Sequence, residues 1–174
     1  MSYIPLPKET FSQAVPTISS EHRYVHMGEV FRYTDAVTIN SGSSQDYLLT
    51  TPVTPYAHLK LNADGAAITS FFFFEATDRI GTTLQSTYNA NRNSATAAGM
   101  TIKKGTSGGT TDGTQLMTYS SGTAQGNSRS PAALDYASEW VLKPSTKYII
   151  RITSGTASNL CNIMLEWYEH VSGT

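Results

Sequence analysis

The sequence predicts a single all-β domain, folded as an antiparallel sandwich or barrel of short strands. Serine and threonine make up about a quarter of the 174 residues, and the β-branched threonine side chain suits a pleated sheet. Charged residues are 14% of the chain, against roughly 25% in typical globular proteins, so the residues that usually cover surface helices are scarce. About nine segments of alternating apolar and polar residues are separated by turn residues at the spacing of a sandwich or barrel.

The first segment, residues 1–20, is predicted to be an extended N-terminal arm ahead of a β domain at residues 21–174. Prolines at positions 5, 7 and 16 prevent a long helix there. Two interpretations of the arm remain open: a disordered tail, or an arm that lies across a neighbouring subunit. The apolar side chains that would make such a contact are Tyr3, Ile4, Leu6 and Phe11.

The next stretch, EHRYVHMGE, carries His22 and His26 four residues apart. On a helix this spacing would place two imidazoles on one face, where they can bind a metal ion. Tyr24 and Val25, followed by Gly28 ahead of a strand, favour an extended segment instead. We therefore expect a surface or interface histidine pair rather than a metal site.

Three strands are predicted in the first half of the domain, at residues 29–40, 45–51 and 56–63. Each shows alternating side chains and ends at serine, glycine, proline or asparagine residues. The third strand alternates most cleanly, with Leu59 and Leu61 pointing inward and the polar residues between them pointing outward.

A strand at residues 67–76 contains four consecutive phenylalanines. Neighbouring side chains of a strand point to opposite faces, so Phe72 and Phe74 face one way and Phe71 and Phe73 the other. Because a sandwich covers only one face of each sheet, the second pair needs cover from a loop, the arm or another subunit. We assign Phe71 and Phe73 to a homo-oligomer interface, since large apolar patches often mark association sites.

In the second half of the domain, strands are predicted at residues 100–103 and 115–120, with the second returning beside the first. The glycine-rich residues 105–113 form the turn between them. Residues 131–136 favour a short helical turn that begins with proline, and residues 139–143 form a further strand.

The C-terminal residues 147–170 are predicted to form a β-hairpin at the centre of a sheet. Apolar residues alternate in both halves, and residues 154–159 supply the small, turn-forming side chains between them. The apolar face of the second half includes Cys161 and Trp167. A single cysteine excludes an intramolecular disulfide, so Cys161 is expected to be a buried small hydrophobe.

Charge and hydrophobicity limit the partners that the sequence predicts. A net charge of −1 leaves no basic field to hold a nucleic acid. The longest uniformly apolar run is residues 71–74, far shorter than the ~20 residues of a bilayer-spanning helix, so we expect no membrane insertion. The N-terminus lacks the charged start and apolar stretch of a secretory signal peptide, and folding in a reducing cytoplasm is expected.

Enzyme activity and a cofactor are not expected from the side chains. No serine lies in a GxSxG elbow, and His58 and His170 have no sequence reason to converge with the first histidine pair. The aspartates lie mostly in predicted turns, and no two carboxylates are marked as a glycosidase pair. The glycine-rich residues 105–113 lack the lysine and following helix of a phosphate-binding loop.

Four stretches carry a family resemblance: LEWYEH at residues 165–170, KYIIRIT at 147–153, NANRNSAT at 89–96 and TISSEHRYVHMGEVF at 17–31. With them, almost the whole chain resembles a family of small structural proteins of tailed bacteriophages, the head decoration or cement proteins. The resemblance implies a jelly-roll-like β-sandwich that assembles as oligomers, often trimers, on the capsid exterior.

A non-enzymatic virion protein of this kind is made in the host bacterial cytoplasm and then binds the outside of the capsid. As an oligomer, with a trimer favoured, it would bridge capsomers of the major capsid protein and stabilise the assembled shell. Two sets of contacts are expected. Contacts with the capsid or a neighbour would come from Tyr3, Ile4, Leu6 and Phe11, and contacts between copies from Phe71 and Phe73.

Two other functions are kept as alternatives. The same sandwich can be a receptor- or carbohydrate-binding module of a phage fibre or tail, because tyrosine rings stack on sugars. The tyrosines considered are Tyr24, Tyr33, Tyr56, Tyr88 and Tyr119. A fibre tip usually follows a long shaft sequence, so we expect decoration instead. A hydrolase that acts on the host surface would require His22, His26 and an acidic residue to converge on a metal ion.

Overall fold

Two antiparallel β-sheets pack face to face in the computed structural model of the chain, which describes residues 20–122, 132–135 and 139–171. The elements within those residues are one helix followed by strands. They are α1 (Ser20–Met27), β1 (Val30–Ile39), β2 (Ser44–Thr50), β3 (Tyr56–Gly65), β4 (Thr69–Glu75), β5 (Ile80–Leu84), β6 (Tyr88–Asn89), β7 (Thr101–Ser107), β8 (Thr114–Ser121), β9 (Ala132–Asp135), β10 (Trp140–Val141), β11 (Lys147–Ser154) and β12 (Asn159–His170).

The strands divide into two sheets, which we call sheet A and sheet B. Sheet A has the order β10-β3-β12-β1-β6, with β9 also paired to β3, and sheet B has the order β5-β7-β2-β11-β4-β8. The paired strands run antiparallel in both sheets. The predicted all-β antiparallel sandwich is therefore confirmed.

Strands from the first half of the chain pair with strands from the second half. β1 pairs with β12, β2 with β11, β3 with β9 and β10, and β4 with β8. This nested pairing, with alternate partners in opposite sheets, is the arrangement of a jelly roll. β5, β6 and β7 extend the two sheets beyond this set of strands.

The predicted C-terminal hairpin is wrong, because its two strands lie in different sheets. β11 pairs with β2 and β4 in sheet B, whereas β12 pairs with β1 and β3 in sheet A. The loop between them crosses from one sheet to the other, and Gly155 N–H donates to the carbonyl of Ile68 at 3.0 Å. The predicted pairing of residues 100–103 with 115–120 fails similarly, since β7 joins β2 and β5 while β8 joins β4.

The core lies between the sheets and is filled by every second residue of the central strands. Trp167, Tyr47, Tyr148 and Phe31 are among its largest fully buried side chains. Cys161 is a free, fully buried thiol, as expected, and burial raises its pKa. Apolar faces of β11 and β12 thus meet across the core instead of sharing one sheet.

Two segments adopt a secondary structure that differs from the prediction. Ser20–Met27 is the helix α1 rather than an extended segment, and it ends at Gly28, where φ is 74°. The N–H groups of Gly28 and Glu29 bond to the carbonyls of Val25 and Tyr24, each at 3.0 Å, as in a glycine-terminated helix end. Within the predicted helical turn at residues 131–136, the described residues Ala132–Asp135 form strand β9 instead, because the open edge of β3 offers backbone partners. No helix in the described part of the chain is long and apolar enough to cross a membrane.

Candidate functional site

The phenylalanine strand β4 places Phe71 and Phe73 inside the sandwich, where neither ring is exposed to solvent. Phe71 lies opposite Ile152 of β11 and Phe73 lies opposite Ile150, and both isoleucines belong to the core. The assignment of Phe71 and Phe73 to a subunit interface is therefore wrong, because the chain itself covers them completely. Alternation establishes only that the two pairs face opposite ways; the register with β11 decides which pair faces inward.

The outward pair, Phe72 and Phe74, lies half-buried on the outer face of sheet B. Their ring centroids are 6.1 Å apart and their planes differ by 18°. The guanidinium carbon of Arg151, on the neighbouring strand β11, lies 5.6 Å from the centroid of Phe74, within the range of a cation–π contact. Phe72, Phe74 and Arg151 are called the aromatic patch below. Phenylalanine and arginine are both enriched at protein interfaces.

A chain of ion pairs fixes Arg151 in this position. Its Nε and Nη2 atoms donate to the two carboxylate oxygens of Asp46 at 2.7 and 2.9 Å, and its Nη1 donates to Asp112 at 2.6 Å. Arg79 donates to the other oxygen of Asp112 at 2.9 Å. The hydrogen bond from Arg151 is the main reason why the pKa of Asp112 lies below its ordinary value. The loop that carries Asp112 is thereby tied to the outer face of sheet B.

The aromatic patch lies beside β8, one of the two edge strands of sheet B in the described residues. This strand contains no charged residue and no proline, the residue types that usually protect a sheet edge. A bulge between Phe73 and Phe74 disturbs the pairing with β8 at one end. Further along, the hydroxyls of Ser70 and Ser120 are hydrogen-bonded at 2.7 Å. An aromatic surface therefore continues into an uncharged, hydroxyl-bearing edge.

A second set of polar side chains lies on the outer face of sheet A, beside α1. It consists of Tyr24, His58, Glu139, Tyr168 and His170, and is called the imidazole cluster below. The ring of Tyr168 stacks on those of Tyr24 and His58, with centroids 4.8 and 4.5 Å apart, and its hydroxyl donates to Glu139 at 3.0 Å. Burial alone would raise the pKa of Glu139, but hydrogen bonds from His58 and Tyr168 outweigh it and lower that pKa.

Next to His170, the end of sheet A opens into a cleft of about 280 Å³. The buried carboxylate of Glu169 lies in its wall and accepts hydrogen bonds from the backbone N–H groups of Gly99 and Met100, both at 2.8 Å. The indole Nε1 of Trp167 donates to the same carboxylate at 2.9 Å. Glu169 thus fastens the start of β7 to the end of β12, which gives it a structural role.

Helix α1 brings His22 and His26 together, with their Nε2 atoms 2.9 Å apart. The prediction of an extended segment is wrong here, and the four-residue spacing acts as it does on any helix. No group of three or more histidine, cysteine, aspartate or glutamate side chains is placed to hold a metal ion within residues 20–122, 132–135 and 139–171.

The other predicted binding residues have different outcomes. Tyr3, Ile4, Leu6 and Phe11 lie outside the described residues, so their contact with the capsid or a neighbour stays a prediction. Among the tyrosines considered for sugar stacking, Tyr33 is buried in the core, while Tyr88 and Tyr119 are exposed. The ring of Tyr24 is used in the stack with Tyr168.

Sequence reasoning missed the imidazole cluster, although alternation points its residues outward. His58 faces outward on β3, and Tyr168 and His170 face outward on β12. Only the pairing of β3 with β12, which sets Tyr168 opposite His58, brings them together. In a jelly roll, β3 and β12 are neighbours, so the jelly-roll topology predicts this cluster. The incorrect hairpin prediction paired β12 with β11 instead and so kept His58 and His170 apart.

Comparison with known proteins adds no relative of the chain. No protein-family model matches the sequence, and no curated protein matches it either.

Proposed function

We propose that the chain is a non-enzymatic structural protein of a tailed-phage virion that binds the outside of the capsid as an oligomer. The observation that carries this proposal is the aromatic patch beside the uncharged edge strand β8. The resemblance to head decoration proteins gives the same function. In this role the protein is made in the host bacterial cytoplasm and resides on the capsid exterior.

Self-association uses the outer face of sheet B. Phe72 and Phe74 are half-buried on this outer face, so part of their ring surface is exposed. Homo-oligomer interfaces are more apolar than ordinary surface. A second copy presents the same rings and the same uncharged edge strand. The charge of Arg151 is paired within each chain with Asp46 and Asp112, so it opposes the contact little. The family resemblance favours a trimer.

The major capsid protein is the second partner. The arm at residues 1–20, with Tyr3, Ile4, Leu6 and Phe11, supplies apolar contacts with the capsid or a neighbouring copy. An oligomer that holds several capsomers at once gains from multivalency. Because it binds the assembled shell and not its separated parts, it stabilises that shell by mass action.

A receptor- or carbohydrate-binding module is the second candidate function. Tyr88 favours it, because its ring is exposed and the guanidinium carbon of Arg92 lies 5.6 Å from the ring centroid. An exposed aromatic ring beside a charged donor is a common element of sugar recognition.

The test combines solution mass with capsid binding. Light scattering gives the oligomeric state of the purified chain, and sedimentation with expanded capsids of the encoding phage gives binding. A trimer that co-sediments supports decoration, and a version that begins at residue 20 should then bind more weakly. A monomer that stays in the supernatant contradicts the proposal and moves attention to glycan binding at Tyr88. If the shortened chain binds capsids as well as the full chain, the proposed capsid contact of the arm is excluded, but capsid binding by the β domain is not.

A further inference from the structure

The imidazole cluster contains two histidines on neighbouring strands whose Nε2 atoms face each other on the outer face of sheet A. His58 on β3 and His170 on β12 place these atoms 2.8 Å apart. The ring centroids are 4.6 Å apart and the planes are inclined by 43°, so the rings approach at an angle. The pair comes from two different strands, which means that the packed sheet, not a flexible loop, sets the separation.

The partners of the opposite ring nitrogens determine where the protons lie. Nδ1 of His58 is 3.1 Å from the Glu139 carboxylate and 2.9 Å from the hydroxyl of Tyr168, whose own proton goes to Glu139. Nδ1 of His170 is 3.1 Å from the carbonyl oxygen of Val171. A carboxylate and a carbonyl only accept hydrogen bonds. The tautomers that satisfy these acceptors carry the proton on Nδ1 in both rings.

In these tautomers the two facing Nε2 atoms carry no proton. If both rings are neutral, each Nε2 has only a lone pair, and two lone pairs at 2.8 Å repel each other. A cation bound to both lone pairs removes this repulsion. The metal ligand form of histidine is this same neutral ring, with Nε2 bare and Nδ1–H bonded to a carboxylate or carbonyl.

We propose that His58 and His170 form a two-histidine binding site for a divalent late transition-metal ion, Cu²⁺ or Ni²⁺. With metal–nitrogen bonds of about 2.0–2.1 Å, two nitrogens 2.8 Å apart subtend close to about 90° at the ion. That is the angle between adjacent ligands in square-planar and octahedral complexes, which Cu²⁺ and Ni²⁺ adopt with nitrogen and oxygen ligands. A tetrahedral Zn²⁺ ion would require the nitrogens to separate by roughly half an ångström.

The surroundings of the pair supply what such a site needs. Glu139 and the Val171 carbonyl are the outer partners that orient the two rings. Lys60 lies opposite Glu166 in the β3–β12 register, and its positive charge also favours the ionised form of Glu139. His170 also lines the cleft of about 280 Å³.

The pair on α1 provides an internal comparison. His22 and His26 have nearly the same Nε2 separation, 2.9 Å, but both rings are exposed on a short helix. Their spacing comes from one helix turn rather than from two hydrogen-bonded strands. A difference in affinity between the two pairs therefore measures the effect of orientation by Glu139 and the sheet.

The experiment titrates Cu²⁺, Ni²⁺ and Zn²⁺ into the untagged full chain after chelator treatment, by calorimetry and by electron paramagnetic resonance of Cu²⁺. We expect one tight Cu²⁺ per chain with two equatorial nitrogens, in the affinity order Cu²⁺ above Ni²⁺. His170→Asn should abolish this event, and Glu139→Gln should weaken it by roughly tenfold or more. The double variant His22→Asn/His26→Asn should leave it unchanged.

Three results would overturn the proposal: no saturable binding to the full chain, an unchanged tight event in His170→Asn, or its loss in the α1 double variant. The last would assign the ion to His22 and His26. Thermal unfolding is the control for a folding defect. A bound ion should raise the Tm of the full chain. His170→Asn should unfold cooperatively, and copper should not change its Tm.

Discussion

Arg151 and Asp46 form a two-point ion pair across neighbouring strands of sheet B, with nitrogen–oxygen distances of 2.7 and 2.9 Å. The two residues lie directly opposite each other in the β2–β11 register. Only 10% of the Asp46 side chain and 23% of the Arg151 side chain are exposed. Since the same guanidinium lies over Phe74, the pair links the stability of sheet B to the shape of the aromatic patch.

Replacing Arg151 should destabilise the fold substantially. Arg151→Met leaves the carboxylate of Asp46 buried with only the hydroxyl of Thr106, at 2.6 Å, as a side-chain donor. The free energy of unfolding should fall by about 2–4 kcal/mol, because an uncompensated buried charge costs more than a lost surface contact. Urea denaturation followed by circular dichroism measures the change.

The matched control is Arg32→Met. Arg32 is bound to Glu166 at 2.6 Å, but its side chain is 54% exposed. Solvent screens such a pair, so its loss should cost no more than about 1 kcal/mol. Equal losses in both arginine variants would contradict the role given to burial at Asp46.

The inward and outward phenylalanines should respond differently to truncation. Phe71→Ala removes a fully buried ring and should lower the free energy of unfolding by about 3–5 kcal/mol. Phe72→Ser removes a half-buried ring from the outer face and should cost roughly 1 kcal/mol or less. Chemical denaturation of both variants at one protein concentration tests this. A larger cost for Phe72→Ser would reverse the assignment of the two faces.

Sequence patterns predicted the fold class and most strands because alternation reports which side chains a strand buries. They did not predict which strands pair. Tyr148 and Trp167 alternate equally well in a hairpin and in two strands of opposite sheets, so only the packed structure separates β11 from β12. For the same reason, the sequence pattern led to the wrong placement of Phe71 rather than Phe72 at the surface. It also did not predict that His58 and His170 lie close together.

A pH prediction follows from Asp78. Its carboxylate accepts hydrogen bonds from the backbone N–H groups of Thr111 and Thr110 and from the Thr110 hydroxyl, which lower its pKa from 3.8 to about 2. A lowered pKa in the folded state means that the carboxylate contributes stability above pH 3.8 and loses that contribution as the pH falls toward about 2. Asp78→Asn should therefore lose less stability than the unmodified chain across this interval.

Carboxyl chemical shifts from NMR give the titration of Asp78 directly. Thr110→Ala, which removes one of the donors and keeps the backbone groups, should raise the pKa of Asp78 and still leave it below 3.8. A titration midpoint of 3.8 or higher in the unmodified chain would contradict the hydrogen-bonded position of this carboxylate.

Cys161 should be unreactive in the native protein. Its side chain is fully buried and burial raises the pKa of the thiol, so little thiolate is present and the reagent has no access. An aromatic disulfide reagent should modify it slowly in buffer and rapidly in concentrated guanidinium chloride. Rapid native modification would show that β12 separates from the core more readily than its packing indicates.

The association role of the aromatic patch is tested most directly by light scattering of the double variant Phe72→Ser/Phe74→Ser, followed by sedimentation with expanded capsids. Met164→Ser is the control, because Met164 is 44% exposed on the outer face of sheet A. We expect an oligomeric parent chain, an oligomeric Met164→Ser variant, and a folded, monomeric double variant with weaker capsid binding. A double variant that keeps both the parent mass and the parent capsid binding would contradict that role.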